Sequence, residues 1–160
     1  MSVRPEKREA VPLAQAARFL LEECRMVLPG IQALFGFQLV AVFSPAFDEK
    51  LGPADQRLHL AAIALIAVAI ALVMAPAAYH RQTGSEQVTE TFIRLSTRLV
   101  LWSMVPLAIS ICLDFYLIAR IILESNLAAL LSAALACAFG LLWFVLPRAR
   151  ALQHLAGRQE

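Results

Sequence analysis

The sequence predicts an all-α fold: an integral membrane bundle of four helices, with both termini in the cytoplasm and the first and third helices extended into it. The first observation is an apolar run, LHLAAIALIAVAIALVMAPAAY, at residues 58–79, which is long enough to cross the hydrocarbon core of a bilayer. The second is that similar runs recur in a chain of 160 residues that is 60% hydrophobic and only 16% charged. The third is the uneven distribution of lysine and arginine between the predicted loops.

Four apolar segments define one predicted membrane domain, residues 12–147, with spans at about 26–44, 58–79, 99–120 and 127–146. Residues 1–11 are polar, so we expect a disordered N-terminus, and residues 148–160 form a basic C-terminal tail. Pro12 suits the first turn of the first helix, which continues to about Phe43. Residues 44–57 read as a short polar loop. The third helix is predicted as one element over about 85–123, with Thr83 and Glu86 spaced for a capping box at its start.

The placement of basic residues sets the predicted orientation. Eleven lysines and arginines lie in the N-terminal segment, the loop between the second and third spans, and the tail. The other side of the membrane would hold three: Lys50, Arg57 and Arg120. Cytoplasmic segments carry the excess of lysine and arginine, so both termini are predicted to be cytoplasmic.

Helical projection groups the polar residues of two spans into stripes. On the first helix one stripe carries charges, an amide, a proline and a glycine: Arg18, Pro29, Gln32 and Gly36 lie within about 40° of Arg25, and Glu22 within about 60°. On the third helix a second stripe covers about 80°: Ser103, Pro106, Ser110 and Asp114. We expect both stripes to face protein or water, with the hydrophilic groups of the bundle turned towards one another, because polar groups in lipid are costly.

The candidate intramembrane polar residues are Gln32, Gln38, Ser110 and Asp114. Asp114 has two open interpretations: a functional acid within a span, or a structural acid that reaches water or pairs with Arg57 or Lys50. The two glutamines lie about 120° apart on the first helix, so they cannot both face one partner helix. Helix packing and pore lining remain alternatives for both amides.

A second candidate group is predicted where the first three spans meet the cytoplasmic headgroups. Its members are polar or basic residues at one depth: Glu22, Glu23, Arg25, Tyr79, His80, Arg81, Arg94 and Arg98. One interpretation is a collar of salt bridges that fixes helix register, with arginines reaching lipid phosphates. The other is a vestibule in which His80 and a glutamate exchange protons or coordinate a cation.

Helix packing is predicted at a set of small or helix-loosening residues. Pro29 and Gly30 permit a kink in the first span, with Gly36 one to two turns beyond. Ser132, Ala136 and Gly140 recur at four-residue spacing in the fourth span, which lets helix backbones approach closely in lipid. No catalytic constellation, phosphate loop or metal-ligand spacing is present in the sequence. We therefore expect no enzyme, no cofactor, no metal site and no nucleic-acid partner.

Two motifs, EECRMVLPGIQALFGFQL in the first helix and APAAYHR at the end of the second, resemble an uncharacterised bacterial family of small four-span membrane proteins. It is a domain of unknown function, and some members carry the label sodium:proton antiporter. The resemblance covers residues 18–147. It implies a multi-pass protein of the bacterial cytoplasmic (inner) membrane and assigns no residue a catalytic or transport role. The positions that match the family pattern are Glu23, Arg25, Leu28, Pro29, Gly30, Gln32, Phe35, Pro76, Tyr79, His80 and Arg81.

Two function classes remain open from the sequence. The first, which the sparse polar content favours, is a structural or accessory membrane component, either self-associating as a homo-oligomer or part of a larger membrane complex. The second is an oligomeric ion or proton channel or transporter that uses the intramembrane polar residues. In that case the stripes that hold Gln32 and Asp114 would line a path, and His80 with Glu22 would gate its cytoplasmic end.

Overall fold

The computed structural model describes residues 12–83, 89–123 and 126–148. The predicted disordered segment 1–11, Glu86 of the predicted capping box and residues 149–160 of the basic tail lie outside these ranges. Five α-helices and one π-helical turn follow in chain order: α1 (Leu13–Val42), α2 (Pro45–Lys50), α3 (Pro53–Thr83), α4 (Glu90–Leu123), α5 (Leu127–Gly140) and the π-helical turn Leu141–Val145. The predicted all-α fold is confirmed.

Four helices are long and apolar enough to cross a membrane: α1, α3, α4, and α5 continued through the π-helical turn to Arg148. With 30, 31 and 34 residues, α1, α3 and α4 exceed what a bilayer core of about 30 Å needs at about 1.5 Å per residue. The predicted bundle of four membrane helices, with extended first and third helices, is therefore confirmed. Which end faces the cytoplasm stays a prediction.

Packing centres on three helices. The main contact is between α3 and α4; α1 packs against both, and α5 packs against α4. Along α3 the buried side chains repeat at four- and three-residue spacing: Ala62, Ile66, Ala69 and Val73. The alanines of this face let α4 approach closely, while Cys24 and Ile31 of α1 complete an apolar core with Ile66 and Val73. The large outward-facing side chains are apolar, for example Phe43 and Trp102, as a lipid environment requires.

Helix bounds differ from the prediction at two places. The segment 44–57 was predicted as a polar loop, yet it contains the six-residue α2 and the first turns of α3, which begins at Pro53. Thr83 belongs to α3, so it does not cap the following helix. The cap of α4 is instead Thr89, whose Oγ1 accepts a hydrogen bond from the Phe92 amide at 3.2 Å.

Two ends of the bundle are distinguished below. The α2 end holds α2, the start of α3 and the end of α4; the opposite end holds the start of α1, the end of α3 and the start of α4. At the α2 end, Arg120 Nη1 lies 2.6 Å from Asp55 Oδ1 and joins α4 to α3. At the opposite end, the Phe92 ring stacks against Tyr79 with ring centroids 5.7 Å apart. These contacts hold α3 and α4 antiparallel along their whole length.

The predicted packing role of the glycines is not found within the chain. A Cβ built at Gly30, Gly36 or Gly140 would meet no atom within 4 Å, so these positions bring no helices together here. In the fourth span the close approach occurs at Ser132 alone, where Oγ donates to the Cys112 carbonyl of α4 at 2.6 Å. Further along, a groove of about 450 Å³ that Ala136 and Gly140 help to line separates α5 from α4.

Candidate functional site

A buried polar cluster lies between α1, α3 and α4, towards the α2 end of the bundle. We call it the His59–Asp114 cluster and define it as Gln38, His59, Ser110 and Asp114. Gln38 is four residues from the end of α1, His59 six from the start of α3 and Asp114 nine from the end of α4. At about 1.5 Å per residue all three lie roughly 6–14 Å from the helix ends, which is why antiparallel helices place them at one level.

Gln38 connects α1 to α4 through its side-chain amide. Its Nε2 donates to Ser110 Oγ at 3.1 Å and also to Asp114 Oδ2. Ser110 in turn donates its hydroxyl to the Ala62 carbonyl of α3 at 2.8 Å. The side chain of Ser110 is fully buried and Gln38 is 4% exposed, so this network is held away from solvent and lipid.

His59 connects α3 to both neighbouring helices. Its Nε2 lies 3.0 Å from the backbone carbonyl oxygen of Gln38, and its Nδ1 lies 3.3 Å from Asp114 Oδ1. The ring also meets the edge of Phe47 in α2, with centroids 5.5 Å apart. The imidazole is therefore fixed on three sides and exposed by only 7%.

The two neighbours of the imidazole determine how many protons this site holds. A backbone carbonyl can only accept a hydrogen bond, so Nε2 carries a hydrogen. In a neutral imidazole Nδ1 would then present a lone pair to Asp114 Oδ1. An ionised carboxylate would repel that lone pair. The pair is satisfied when it shares one further proton, either as imidazolium with carboxylate or as imidazole with carboxylic acid.

A cavity of about 600 Å³ adjoins the cluster, and its lining includes Gln38, His59 and Asp114. The rest of its wall is mainly apolar and comes from α1, α2 and the last turns of α4, with Lys50 as the other charged residue. A second cavity of about 540 Å³ at the α2 end is lined by Asp55, Arg120 and Asn126. Both cavities share Lys50, Leu51, Leu117 and Ile121, so the mainly apolar cavity beside the cluster adjoins the polar cavity at this end of the bundle.

Towards the opposite end the cluster meets a dry apolar core. The buried residues Ile31, Ile66 and Val73 are packed there against Ile70 and Leu107. Ser103 is buried in the same region, but its hydroxyl donates to the Val100 carbonyl of its own helix at 2.6 Å. The core next to the cluster on this side is therefore apolar.

Two buried acceptors of the cluster have no hydrogen-bond donor among the described residues. Gln38 Oε1 is buried, and no donor among the described residues reaches it; Asp114 Oδ1, also buried, has His59 Nδ1 as its neighbour at 3.3 Å but no hydrogen bond of good geometry. A buried acceptor without a donor costs about 1–3 kcal/mol. The cluster thus has capacity to accept a further hydrogen.

The predicted partners of Asp114 were wrong. Arg57 donates to the Pro53 carbonyl of its own helix at 3.2 Å, and within the described residues Lys50 makes no ion pair. The partners of Asp114 are His59 and Gln38. The sequence analysis did group Gln38, Ser110 and Asp114 as intramembrane polar residues, and the structure brings these three together.

The structure does not assemble the group predicted at the cytoplasmic headgroups. Tyr79 and His80 both lie against the Phe92 ring, at 5.7 Å between centroids. Over residues 12–83, 89–123 and 126–148 the ion pairs are His59–Asp114 and Asp55–Arg120, so no salt-bridge collar forms there. Side chains of Glu22, Glu23, Arg25, Arg81, Arg94 and Arg98 are exposed.

The first predicted stripe faces outward. Arg18, Glu22, Arg25, Pro29 and Gln32 are exposed, and Gly36 is half-buried. The buried face of α1 instead carries Ala17, Leu20, Cys24, Ile31 and Gln38. The expectation that this stripe faces the other helices of the bundle is therefore wrong, and the amide that does face them is Gln38, which lies outside the stripe.

His59 and Asp55 are the functional candidates that sequence reasoning missed. Asp55 precedes the apolar run of α3 and His59 lies at its start. Polar residues are expected at such a membrane edge, so neither stood out in the sequence. Their signal is depth: His59 follows the start of α3 by about as many residues as Asp114 precedes the end of α4. Two antiparallel neighbours with a short connection therefore place them at one level.

Comparisons with curated proteins and with solved structures found no match. Residues 12–147 match a family of unknown function, DUF6328, over the whole of the four-helix bundle. The match includes all four residues of the His59–Asp114 cluster and both motifs that carry the resemblance seen in the sequence. The chain belongs to this family of unknown function.

Proposed function

We propose that this chain is a proton-coupled membrane transporter that binds one proton at the His59–Asp114 pair. The observation that carries the proposal is the position of the His59 imidazole between two acceptors, the Gln38 carbonyl at 3.0 Å and the Asp114 carboxylate at 3.3 Å. The Gln38 carbonyl belongs to the backbone of α1, so this acceptor stays against the imidazole when side chains rotate. A shared proton is the simplest way to satisfy this geometry.

The site suits a proton better than a metal cation. Both carboxylate oxygens of Asp114 are already faced by nitrogen: Oδ2 by the Gln38 amide and Oδ1 by His59 Nδ1. A cation such as Na⁺ or Mg²⁺ needs several oxygen ligands free of donors. Among the cluster oxygens, Gln38 Oε1 and Asp114 Oδ1 lack a hydrogen-bond donor within the described residues, which is too few to supply the ligands of such a cation.

Proton binding has a direct structural consequence, because the cluster joins three helices. With the proton present, Asp114 and His59 attract and hold α4 against α3. Without it, a buried carboxylate faces an imidazole lone pair, and the site carries an uncompensated charge that costs several kcal/mol to bury. Release of the proton therefore favours separation of α3 and α4 at this level. Such a change could expose the cluster to the opposite end, which the apolar core around Ile66 closes.

Orientation determines the side from which the proton arrives. The excess of lysine and arginine favours an arrangement with the α2 end outside the bacterial inner membrane and both termini in the cytoplasm. The cavities at the α2 end would then open the cluster to the external side. In that orientation the protein would take up protons from outside and release them to the cytoplasm.

Proton flux in proteoliposomes tests the proposal. The purified chain is reconstituted in vesicles that contain a pH-sensitive dye, and a pH gradient is applied with the membrane potential clamped. Wild type is expected to dissipate the gradient faster than protein-free vesicles. Asp114→Asn and His59→Gln each remove one partner of the shared proton. Each is expected to reduce this flux ~tenfold or more, which corresponds to a loss of about 1.4 kcal/mol in the free energy of proton binding.

Asp48→Asn is the matched control, because it makes the same carboxylate-to-amide change on α2. The Asp48 side chain is exposed and contacts only Gln56, at 3.2 Å. It should carry wild-type flux. Circular dichroism and size-exclusion chromatography establish whether each variant is folded. If Asp114→Asn does not fold, Asp114→Glu, which retains the carboxylic acid, is measured in its place. Folded Asp114 and His59 variants with unchanged flux, or a wild type without flux, would refute the transporter.

A structural or self-assembling membrane component, alone or within a larger complex, is the second candidate function. It is favoured by a different observation: the polar stripe on the outer face of α1 has no partner helix within the described residues. In that case wild-type vesicles would remain proton-tight while the protein still associated in the membrane.

A further inference from the structure

The cavity of about 600 Å³ beside the His59–Asp114 cluster has apolar walls and one polar end. It follows α4 from Asp114 to Ile121, about seven residues or roughly 10 Å of helix. Apolar side chains from three helices form its wall: Leu34, Phe37 and Ala41 of α1, Phe47 of α2, and Ile118 and Ile121 of α4. A wall of this kind with a few polar groups at one end suits a ligand that has an apolar body and one polar head.

The cavity is open on the outer surface of the bundle, between α1 and α4. Phe37 and Ile118 line it from the two sides, and they are 73% and 56% exposed. Both helices are long and apolar enough to cross a membrane, so this opening faces the acyl chains of the bilayer. A ligand that is dissolved in the membrane can therefore reach the cluster from the side.

Hydrogen bonding fixes which way the Gln38 amide points. The Ser110 hydroxyl gives its one hydrogen to the Ala62 carbonyl, so towards Gln38 it can only accept. Asp114 Oδ2 accepts from the same amide nitrogen. Nε2 of Gln38 therefore faces α4, and its Oε1 is left buried without a donor among the described residues.

Three atoms of the cluster need a donor once the shared proton has left: Gln38 Oε1, Asp114 Oδ1 and His59 Nδ1. All three belong to residues that line the cavity. Their side chains contact one another through Asp114, so a single head group can lie among them. A primary ammonium, like that of a lysine side chain, carries three N–H donors and one positive charge. It can therefore donate to all three acceptors and replace the charge of the proton.

We propose that this cavity binds an amphipathic primary amine, in its ammonium form, in exchange for the shared proton. The ammonium group lies among Gln38, His59 and Asp114, and the alkyl chain lies along the apolar wall between α1 and α4. The charge is balanced, because the site gives up one H⁺ and takes up one R–NH₃⁺. The inference rests on the proposed function, since the released proton is the one that His59 and Asp114 share, and it names the substrate class that proton movement would drive.

Other head groups fit the polar end less well. A carboxylate or phosphate would place its oxygens against Gln38 Oε1 and Asp114 Oδ1, which are themselves acceptors. The ammonium of phosphatidylethanolamine is joined to a phosphate, which would be drawn into the same buried region. Besides His59 and Asp114, the charged residue of the lining is Lys50 of α2, and α1 contributes none. Lys50 is exposed at the α2 end, where solvent screens its repulsion of a cation.

Proton release on amine binding provides the first test. The wild-type chain is placed in phosphatidylcholine nanodiscs, which contain no primary amine, in weakly buffered solution with a pH-sensitive dye. Octylammonium is expected to release about one proton per bound molecule, above the release from empty nanodiscs, because it takes the place of the shared proton. Absence of this release from the wild type would overturn the inference.

Octyltrimethylammonium is the matched ligand, because it has the same charge and the same chain but no N–H donor. It is expected to bind at least ~tenfold more weakly than octylammonium. Equal binding of the two would contradict the role of the three acceptors. Octylammonium should bind equally well in nanodiscs of phosphatidylethanolamine; a loss of binding there would indicate that the lipid is the occupant and would overturn the free amine.

Two alanine variants test the position of the alkyl chain. Ala41→Phe places a ring in the cavity, whereas Ala33→Phe makes the same change on α1 outside its lining, and both alanines are exposed. Ala41→Phe is expected to weaken octylammonium binding at least ~tenfold, because the ring occupies the space of the chain. Ala33→Phe should leave binding unchanged. Equal binding by the two variants would contradict the cavity as the site.

Lys50→Gln tests the charge of the head group. It removes a cation from the lining and is expected to strengthen octylammonium binding by about two- to fivefold. Weaker binding in this variant would indicate an anionic head and overturn the ammonium. Proton flux measured without amine separates this inference from the proposed function. A wild type that conducts protons but releases none to octylammonium would refute the amine site alone, whereas release without flux would support that site and refute the transporter.

Discussion

Ser110 shows how one small side chain can hold three helices together. Its hydroxyl accepts from the Gln38 amide of α1 and donates to the Ala62 carbonyl of α3, while the residue itself belongs to α4 and is fully buried. Ser103 is also buried on α4, but its hydroxyl bonds within its own helix. The two serines have the same chemistry and similar burial, and only one of them links helices.

This difference gives a prediction at the scale of single residues. Ser110→Ala removes two interhelical hydrogen bonds and is expected to lower the free energy of unfolding in detergent by about 1–2 kcal/mol. Ser103→Ala removes a local bond and should change it by less than about 0.5 kcal/mol. Denaturant titration of both variants checks the order. A larger loss for Ser103→Ala would show that the cluster does not hold the helices together.

Residue-level contacts could be predicted from the sequence only in part. Helical projection correctly placed Ser110 and Asp114 on one face of α4 and separated Gln32 from Gln38, because helix geometry alone fixes those angles. It could not say which face of α1 meets the bundle, since that depends on how whole helices rotate against one another. Gln32 was therefore placed wrongly, and His59 was missed as the partner of Asp114.

At the scale of elements, α5 is the helix held least firmly. It packs mainly on α4, and of its residues only Ala128 is buried in the described chain. Among the described residues, the Ser132 hydroxyl connects α5 to another helix by donating to the Cys112 carbonyl at 2.6 Å. Beyond that contact, the groove lined by Ala136 and Gly140 replaces direct packing. At the end of this groove the helix widens into the π-helical turn, where Phe139 and Trp143 rings lie 4.6 Å apart.

The weak attachment of α5 can be measured by amide hydrogen exchange in nanodiscs. Amides of α5 are expected to exchange faster than those of α3, because few packing contacts oppose local separation. Ser132→Ala should raise the exchange of α5 a further ~threefold or more and leave α3 unchanged, since a hydrogen bond contributes about 1 kcal/mol. Ser132→Thr retains the hydroxyl and should behave as wild type. Exchange of α5 that is as slow as that of α3 would argue against this picture.

The long helices could be predicted because each contains a long apolar run in the sequence. Apolar runs of span length fixed the existence and order of α1, α3, α4 and α5, and Pro12 marks the start of α1, whereas Pro53, which begins α3, was assigned to the loop before it. The helix α2 was not predicted, since six residues carry no period that distinguishes a helix from a loop. The start of α4 was misplaced because Thr83 and Thr89 are both suitable caps in the sequence.

At the scale of the whole molecule, the distribution of polar space is one-sided. Within the described residues, the ion pairs His59–Asp114 and Asp55–Arg120 and the polar cavity beside Arg120 lie towards the α2 end, while an apolar core fills the bundle beyond the His59–Asp114 cluster. The side on which the α2 end lies therefore decides whether the proton site is loaded from outside or from the cytoplasm. Eleven basic residues on the side of the opposite end against three on the side of the α2 end predict that the α2 end is external.

Labelling of single cysteines tests this orientation in intact cells. In a chain with Cys24→Ala, Cys112→Ala and Cys137→Ala, Ser44→Cys marks the α2 end and Gln82→Cys marks the opposite end. Both positions are exposed. A membrane-impermeant maleimide should label Ser44→Cys in intact cells, and Gln82→Cys only after the membrane is opened, because the excess of basic residues predicts that the opposite end is cytoplasmic. The reverse labelling pattern would show that the α2 end faces the cytoplasm. The His59–Asp114 pair would then take its proton from the cytoplasm, and the flux measured in oriented vesicles would have to change direction with it.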